Sequence, residues 1–291
     1  MQNSETILKI RRLAAKIRKD IVMMIGCEGQ TGHLGGSCSS ADIVAALYGH
    51  RLRHDPRNPK WEERDRFIYS KGHAAIAQYA ALAETGYFPV EELKTVKSLG
   101  SRLQGHPDML KTPGVEAGTG SLGHGLSVSN GMALAMRLDA RTGKVFCVIG
   151  DGELNEGQIW EAAMTAAYYK LDNLVAIVDR NHLQATGPCA ERFGIDPIAE
   201  KWRSFGWHVI ELDGHDIQAI LDAFNEADSI SGKPTVLIAD TVKGKGISFA
   251  ENVASFHNGM LTKEQYEIAL QELDKELESL VSTESGEMKH E

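Results

Sequence analysis

"VFCVIGDGELNEGQIWEAAMTAAYYKLDNLVAIVDRNHLQ", residues 145–184, holds two short apolar runs, each closed by a polar turn. The runs at 145–149 and 174–178 are continuous rather than alternating, as strands buried on both faces are. Between them, residues 158–169 place Ile159, Ala162, Ala163, Ala166 and Ala167 on one helical face. Strand, helix and strand in this order make a βαβ unit, whose strands must be parallel. The first run ends in Gly-Asp-Gly with Asp151, and the second ends in Arg-Asn with Asn181.

Outward from this unit the pattern repeats. Residues 235–239 form a third continuous apolar run, and FIYS is a short strand ending at Ser70. Helical periodicity marks residues 7–25, 40–48, 128–138 and 262–280. QTGHLGGS is a Gly-rich loop, and RLRHDPRNPKWEERDR is a polar surface connection with two prolines. The expected fold is α/β, a parallel sheet covered by helices on both faces. One domain spans 1–281, and the polar tail STESGEMKHE, 282–291, is expected to be disordered.

A chain of 291 residues buries a large core without staples. With 31 basic against 40 acidic residues and a net charge of −9, it offers no basic face, which speaks against nucleic acid. Cys27, Cys38, Cys147 and Cys189 lack CxxC spacing and read as reduced thiols. MQNSETILKIRRLAAKIRKD has no signal-peptide core, and no apolar stretch is long enough to cross a membrane. A cytoplasmic protein is expected.

In open parallel sheets, ligands bind at the carboxyl ends of the strands. Asp151 and Asn181 both stand there, and a carboxylate with an amide oxygen suits a hard cation such as Mg²⁺ or Ca²⁺ that is shared with phosphate. Gly150 and Gly152 allow close approach to an anion. Either motif alone is equally an ordinary turn. Gly118–Gly123 fits GxGxxG, but no strand precedes it, so a dinucleotide fingerprint is excluded while a tight turn remains. His33, His73, His106, His124 and His257 sit in glycine-containing loops. Their spacing is not that of a zinc site; neutral imidazoles could instead donate to phosphate or sugar hydroxyls and move protons near neutral pH.

Taken together and in order, TGHLGG, SKGHA, GHPD, TGSLGHGLSVSNGMALA, GDG with a later strand-end Asn, FGWHVIELDGHD and His257 resemble the transketolase N-terminal domain. The likeness covers roughly residues 10–260. It implies the thiamine diphosphate-binding fold (the diphosphate-binding, or PP, domain), with Mg²⁺ held by Asp151, Asn181 and the Leu183 carbonyl, Ca²⁺ or Mn²⁺ being able to substitute. It further implies Gly152, His73 and His257 at the diphosphate, and Gly120 and Leu122 at the aminopyrimidine. His33 and His106, with His257, would act on the sugar, while Glu156 and Glu161 would link two active sites across a dimer. The implied reaction moves a two-carbon ketol group from a ketose, expected to be a phosphate, to an aldose.

Arg180 stands where the family often has Asn, His124 where it has Gln, and Asn258 separates His257 from the following glycine. The family's glutamate that activates the cofactor ring belongs to a second half of about the same length. The resemblance therefore implies a subunit that works with a separate C-terminal transketolase subunit, expected as α2β2. Rival readings are a deoxyxylulose-phosphate synthase or ketoacid dehydrogenase E1 subunit, and a non-catalytic cofactor-binding regulator.

Overall fold

The computed structural model describes residues 4–26 and 31–287. In chain order, α1 (Ser4–Ile25), α2 (Leu34–Ser39) and α3 (Ala41–Ala46) lead through a π turn to β1 (Arg66–Tyr69). Then come α4 (Ala75–Glu84), α5 (His124–Leu138), β2 (Val145–Gly150), α6 (Gly157–Tyr168) and β3 (Leu174–Arg180). A small hairpin, β4 (Leu183–Gln184) and β5 (Gly187–Pro188), precedes α7 (Cys189–Arg192), α8 (Ile198–Ser204) and β6 (His208–Asp213). The chain continues with α9 (Ile217–Ser229), β7 (Thr235–Asp240) and α10 (Lys263–Glu287).

Five strands form one parallel sheet in the order β1-β2-β3-β7-β6. Alternate side chains of the central strands enter two separate cores. Phe146, Val148, Val175, Ile177 and Leu237 pack beneath α1, α3, α4 and α9. Val145, Cys147, Ile149, Leu174, Ala176, Val178, Val236 and Ile238 pack beneath α5, α6 and α8. Both faces are covered, which is why these strands read as unbroken apolar runs. Each fully buried Val, Ile, Leu or Phe contributes about 1.5–3 kcal/mol, against about 1 kcal/mol net for a backbone hydrogen bond. Burial, more than the ladder, holds the sheet.

Several expectations are corrected. The helix expected at 40–48 is present as α3 and the π turn at Leu47–Arg51, but a separate helix that was not expected, α2, precedes it from Leu34. Glycine costs a helix about 1 kcal/mol, yet Gly35 and Gly36 are both helical; a side chain at Gly35 would meet Lys243 Cγ at 2.8 Å, which requires a glycine there. The helix expected at 128–138 begins at His124, following Gly123, whose φ of 86° suits glycine. The tail expected to be disordered is helical through Glu287, since α10 simply continues with Ser282 Oγ donating to the Glu278 carbonyl at 2.9 Å. Residues 288–291 and Cys27 lie outside the described residues, while Cys38, Cys147 and Cys189 are buried free thiols. Among the described residues, no helix is long and apolar enough to cross a membrane.

Candidate active site

The carboxyl ends of β1, β2, β3 and β7 open into a cleft of about 440 Å³. Asp151 follows β2 and is 2% exposed. Its Oδ1 accepts from the Gly152 N–H at 2.7 Å and its Oδ2 from the His182 N–H at 2.6 Å. Burial, then the neighbouring Asp179, pushes its carboxyl up to about 6, with the Gly152 and His182 N–H donors and the Lys243 ammonium offsetting part of the rise. Asn181, beyond β3, donates through Nδ2 to Asp179 Oδ2 at 3.1 Å, and its Oδ1 accepts from the Leu183 N–H at 3.3 Å. The Leu183 carbonyl accepts from Lys243 Nζ at 2.7 Å.

A buried polar floor supports this wall. Asp179 is fully buried and accepts from Lys71 Nζ, from Ser39 Oγ at 2.6 Å and from Thr241 Oγ1 at 2.5 Å. Burial raises Asp179, but the Lys71 ammonium and these donors outweigh it and hold the carboxyl below its usual range. Lys71 also donates to the Gly36 carbonyl at 2.5 Å. Beside it, Glu153 accepts from Ser70 Oγ at 2.5 Å, Gly123 N–H at 2.8 Å and Gly150 N–H at 3.1 Å. Glu153 thus fixes the glycine loop at 118–123 to the end of β2.

Three imidazoles face the wall. Ring centroids of His33 and His73 lie 4.9 Å apart, those of His33 and His257 5.4 Å, and those of His73 and His257 5.3 Å. Burial lowers all three, His33 and His257 to about 4 and His73 to about 2, helped by Lys97, Lys243 and Lys71 respectively. With these values all three rings are neutral at pH 7. Lys243 Nζ lies 2.9 Å from His257 Nδ1. An ammonium only donates, so Nδ1 accepts and the ring proton of His257 sits on Nε2.

The cleft is lined by most of the residues anticipated: Asp151, Asn181, Leu183, Gly152 and Glu156 from the β2–β3 side, with His33, His73, His257, Gly120 and Leu122 opposite. His106 is exposed and stands outside the cleft lining, but its ring packs on Gly120, whose φ is 139° and where a Cβ would meet His106 Cδ2 at 2.6 Å. Glu161 is not at the cleft; it lies exposed on α6 in a separate shallow depression. The Gly152 N–H, expected at a phosphate, is engaged by the Asp151 carboxylate. Lys71, Lys243, Glu153 and Asn155 also line the cleft and were not anticipated. Lys243 follows the end of β7, and that strand-edge position is the signal that could have found it.

The donor set fits a hard divalent cation: one carboxylate, one amide oxygen and one backbone carbonyl, all on one wall. The Lys243 ammonium on the Leu183 carbonyl stands in for positive charge at that wall. Asn155 Oδ1, buried without a hydrogen-bond partner, leaves an acceptor for a bound group.

The family described as "Transketolase, thiamine diphosphate binding domain" matches residues 9–279. The chain is 46% identical to the 6-deoxy-6-sulfo-D-fructose transketolase subunit SqwG of Clostridium sp. (strain MSTE9), over 94% of this chain and 99% of that protein. It is 42% identical to one of the subunits of the apulose-4-phosphate transketolase of Phocaeicola vulgatus, over 93% and 96% of the two chains. The transketolase structure from Campylobacter jejuni superposes with a TM-score of 0.81 at 30% identity, over 97% of this chain. This chain spans only 48% of that protein's length.

Proposed function

The chain belongs to the transketolase thiamine diphosphate-binding family, and from that premise we propose that it is the cofactor-binding subunit of a two-subunit transketolase. The observation that carries this reading is the oxygen wall of Asp151, Asn181 and Leu183 facing three neutral imidazoles across one cleft. Two relatives covered almost end to end are named as subunits, which supports a separate C-terminal partner chain. Residues 1–281 act as one cofactor-binding domain, supported by the single five-stranded sheet. The assembly is α2β2 and cytoplasmic, with its described cysteines as free thiols.

In this reading Asp151 and Asn181 hold Mg²⁺ with their side-chain oxygens, and Leu183 holds it with its carbonyl. Ca²⁺ or Mn²⁺, also oxygen-seeking, can substitute. His73 and the Nε2–H of His257 donate to the diphosphate, while Gly152 lets it approach closely. Gly120 and Leu122 line the aminopyrimidine, with Glu156 at the same rim. Bound thiamine diphosphate supplies the carbanion-stabilising chemistry that breaks and forms the carbon–carbon bonds. His33 and His106 hold sugar hydroxyls beside His257, and the neutral His33 ring accepts and returns protons there. The named relatives act on a sulfo-ketose and a ketose phosphate, so a ketose with a terminal anionic group is the proposed donor.

Co-expression with a C-terminal partner chain, followed by assay of two-carbon transfer with thiamine diphosphate and Mg²⁺, tests this function. A pair that binds cofactor yet transfers nothing from phosphorylated or sulfonated ketoses refutes it. Asp151→Ala is expected to weaken Mg²⁺-dependent cofactor binding more than about 100-fold, since it removes a ligand outright. Unchanged binding in equilibrium dialysis would refute the metal assignment.

A further inference from the structure

Lys243 is 2% exposed and runs past Gly35, where a Cβ would collide with its Cγ. Among the described residues its ammonium has two acceptors, the Leu183 carbonyl at 2.7 Å and His257 Nδ1 at 2.9 Å. Both are neutral; the Asp151 and Asp179 carboxylates act on the ammonium only at a distance, and neither accepts a hydrogen bond from it as a bound phosphate would. The Leu183 carbonyl is also one of the three oxygens assigned to the divalent metal. We propose that Lys243 competes with the metal for this carbonyl, so that metal binds tightly only together with a diphosphate that takes over the ammonium.

The inference rests on the cofactor reading above. A metal arriving alone takes the carbonyl from Lys243 and leaves the ammonium facing a divalent cation in a buried site. A metal arriving with diphosphate brings anionic oxygens, to which the ammonium moves with a gain in charge-assisted hydrogen bonding. Metal and diphosphate are thus coupled through Lys243, and the coupling is reciprocal. Lys243 is a binding gate here, and no proton transfer is asked of it.

Calorimetric titration of the purified chain with Mn²⁺ alone, and with the equimolar complex of Mn²⁺ and thiamine diphosphate, tests the proposal. The wild type should bind the complex far more tightly than the metal alone. Lys243→Met should bind Mn²⁺ alone at least about tenfold more tightly than wild type, because a like charge beside the site is gone. The same variant should bind the complex more weakly. Lys243→Arg, which keeps the charge, should bind Mn²⁺ alone as poorly as wild type. Where thermal melting shows that Lys243→Met does not fold, Lys243→Gln carries the same comparison.

If the neutral variant binds Mn²⁺ alone no more tightly than wild type, or if Lys243→Arg gains as much, the competition is refuted. In either case, tight wild-type binding of the complex leaves the cofactor reading standing. If the wild type binds neither metal nor complex, both fall together.

Discussion

Asp20 lies buried on α1, and its Oδ2 has no hydrogen-bond partner. Burial, then the charge of Glu84, pushes its carboxyl up to about 7 from an ordinary value of 3.8, with Lys16 and Lys19 offsetting part of the shift. Between these two values the folded chain holds a proton that the unfolded chain has released. Stability from this group is therefore full below about pH 4, is lost as pH rises through about 7, and stays lost above. Asp20→Asn keeps the neutral form at every pH. It is expected to stabilise by up to about 4 kcal/mol at pH 8 and by nothing at pH 4, read from urea midpoints at the two pH values. Single residues were legible in the sequence where position alone decides their role. Asp151 and Asn181 follow apolar runs, and strand ends are where ligands bind, whereas Leu183 came only with the family resemblance. Lys71 was not legible, because its burial depends on Asp179, 108 residues away, and on the Gly36 carbonyl, 35 residues away. Lys243 has a strand-end position that announces it, but its contact with the Leu183 carbonyl, 60 residues away, is not readable locally.

At the scale of elements, the Lys71–Asp179 pair joins the end of β1 to the end of β3 across the intervening β2. A buried pair contributes little net stability when whole, but removing one partner strands the other charge at a cost of about 3–5 kcal/mol. Lys71→Met is expected to destabilise by that amount in denaturant titration. Adding Asp179→Asn should recover more than half of the loss, and no recovery would mean that packing, not the stranded charge, is responsible. The same strands explain what was legible. β2, β3 and β7 are buried on both faces and read as unbroken apolar runs. β6 sits at the sheet edge, is half-exposed and carries His208, Glu211 and Asp213, so its polar residues hide it. α9 carries a readable signal, an Asp216 cap before Ile217, Ile220, Leu221 and Phe224, though it was not among the elements anticipated. α2 had none, because two glycines in a helix contradict local propensity, and Gly35 is imposed by the close approach of Lys243.

At the scale of the whole molecule, the two layers of helices meet solvent differently. On one side α10 packs along α1, with Leu280 against Leu8 and Ala15 and Lys19 Nζ 2.5 Å from Asp274 Oδ1. On the other side, among the described residues, α5 and α6 leave Val128, Met164 (52% exposed), Tyr168 (80%) and Tyr169 in solvent, with Glu161 exposed one turn before Met164. An apolar face of this kind suits self-association, and it supports the α2β2 proposal from a feature that no strand-end motif announces. In a twofold interface every substitution acts twice, and a charge near the axis meets its own copy. Met164→Lys is therefore expected to weaken dimerisation by more than about tenfold, which corresponds to only ~1.4 kcal/mol across both copies. Its exposure means that the melting temperature of the separated chain should barely move. Sedimentation velocity over a dilution series should then show the mass halving at higher concentration than in wild type. If the mass is unchanged while the melting temperature is also unchanged, the α5–α6 face does not join the two copies and α2β2 loses its structural support.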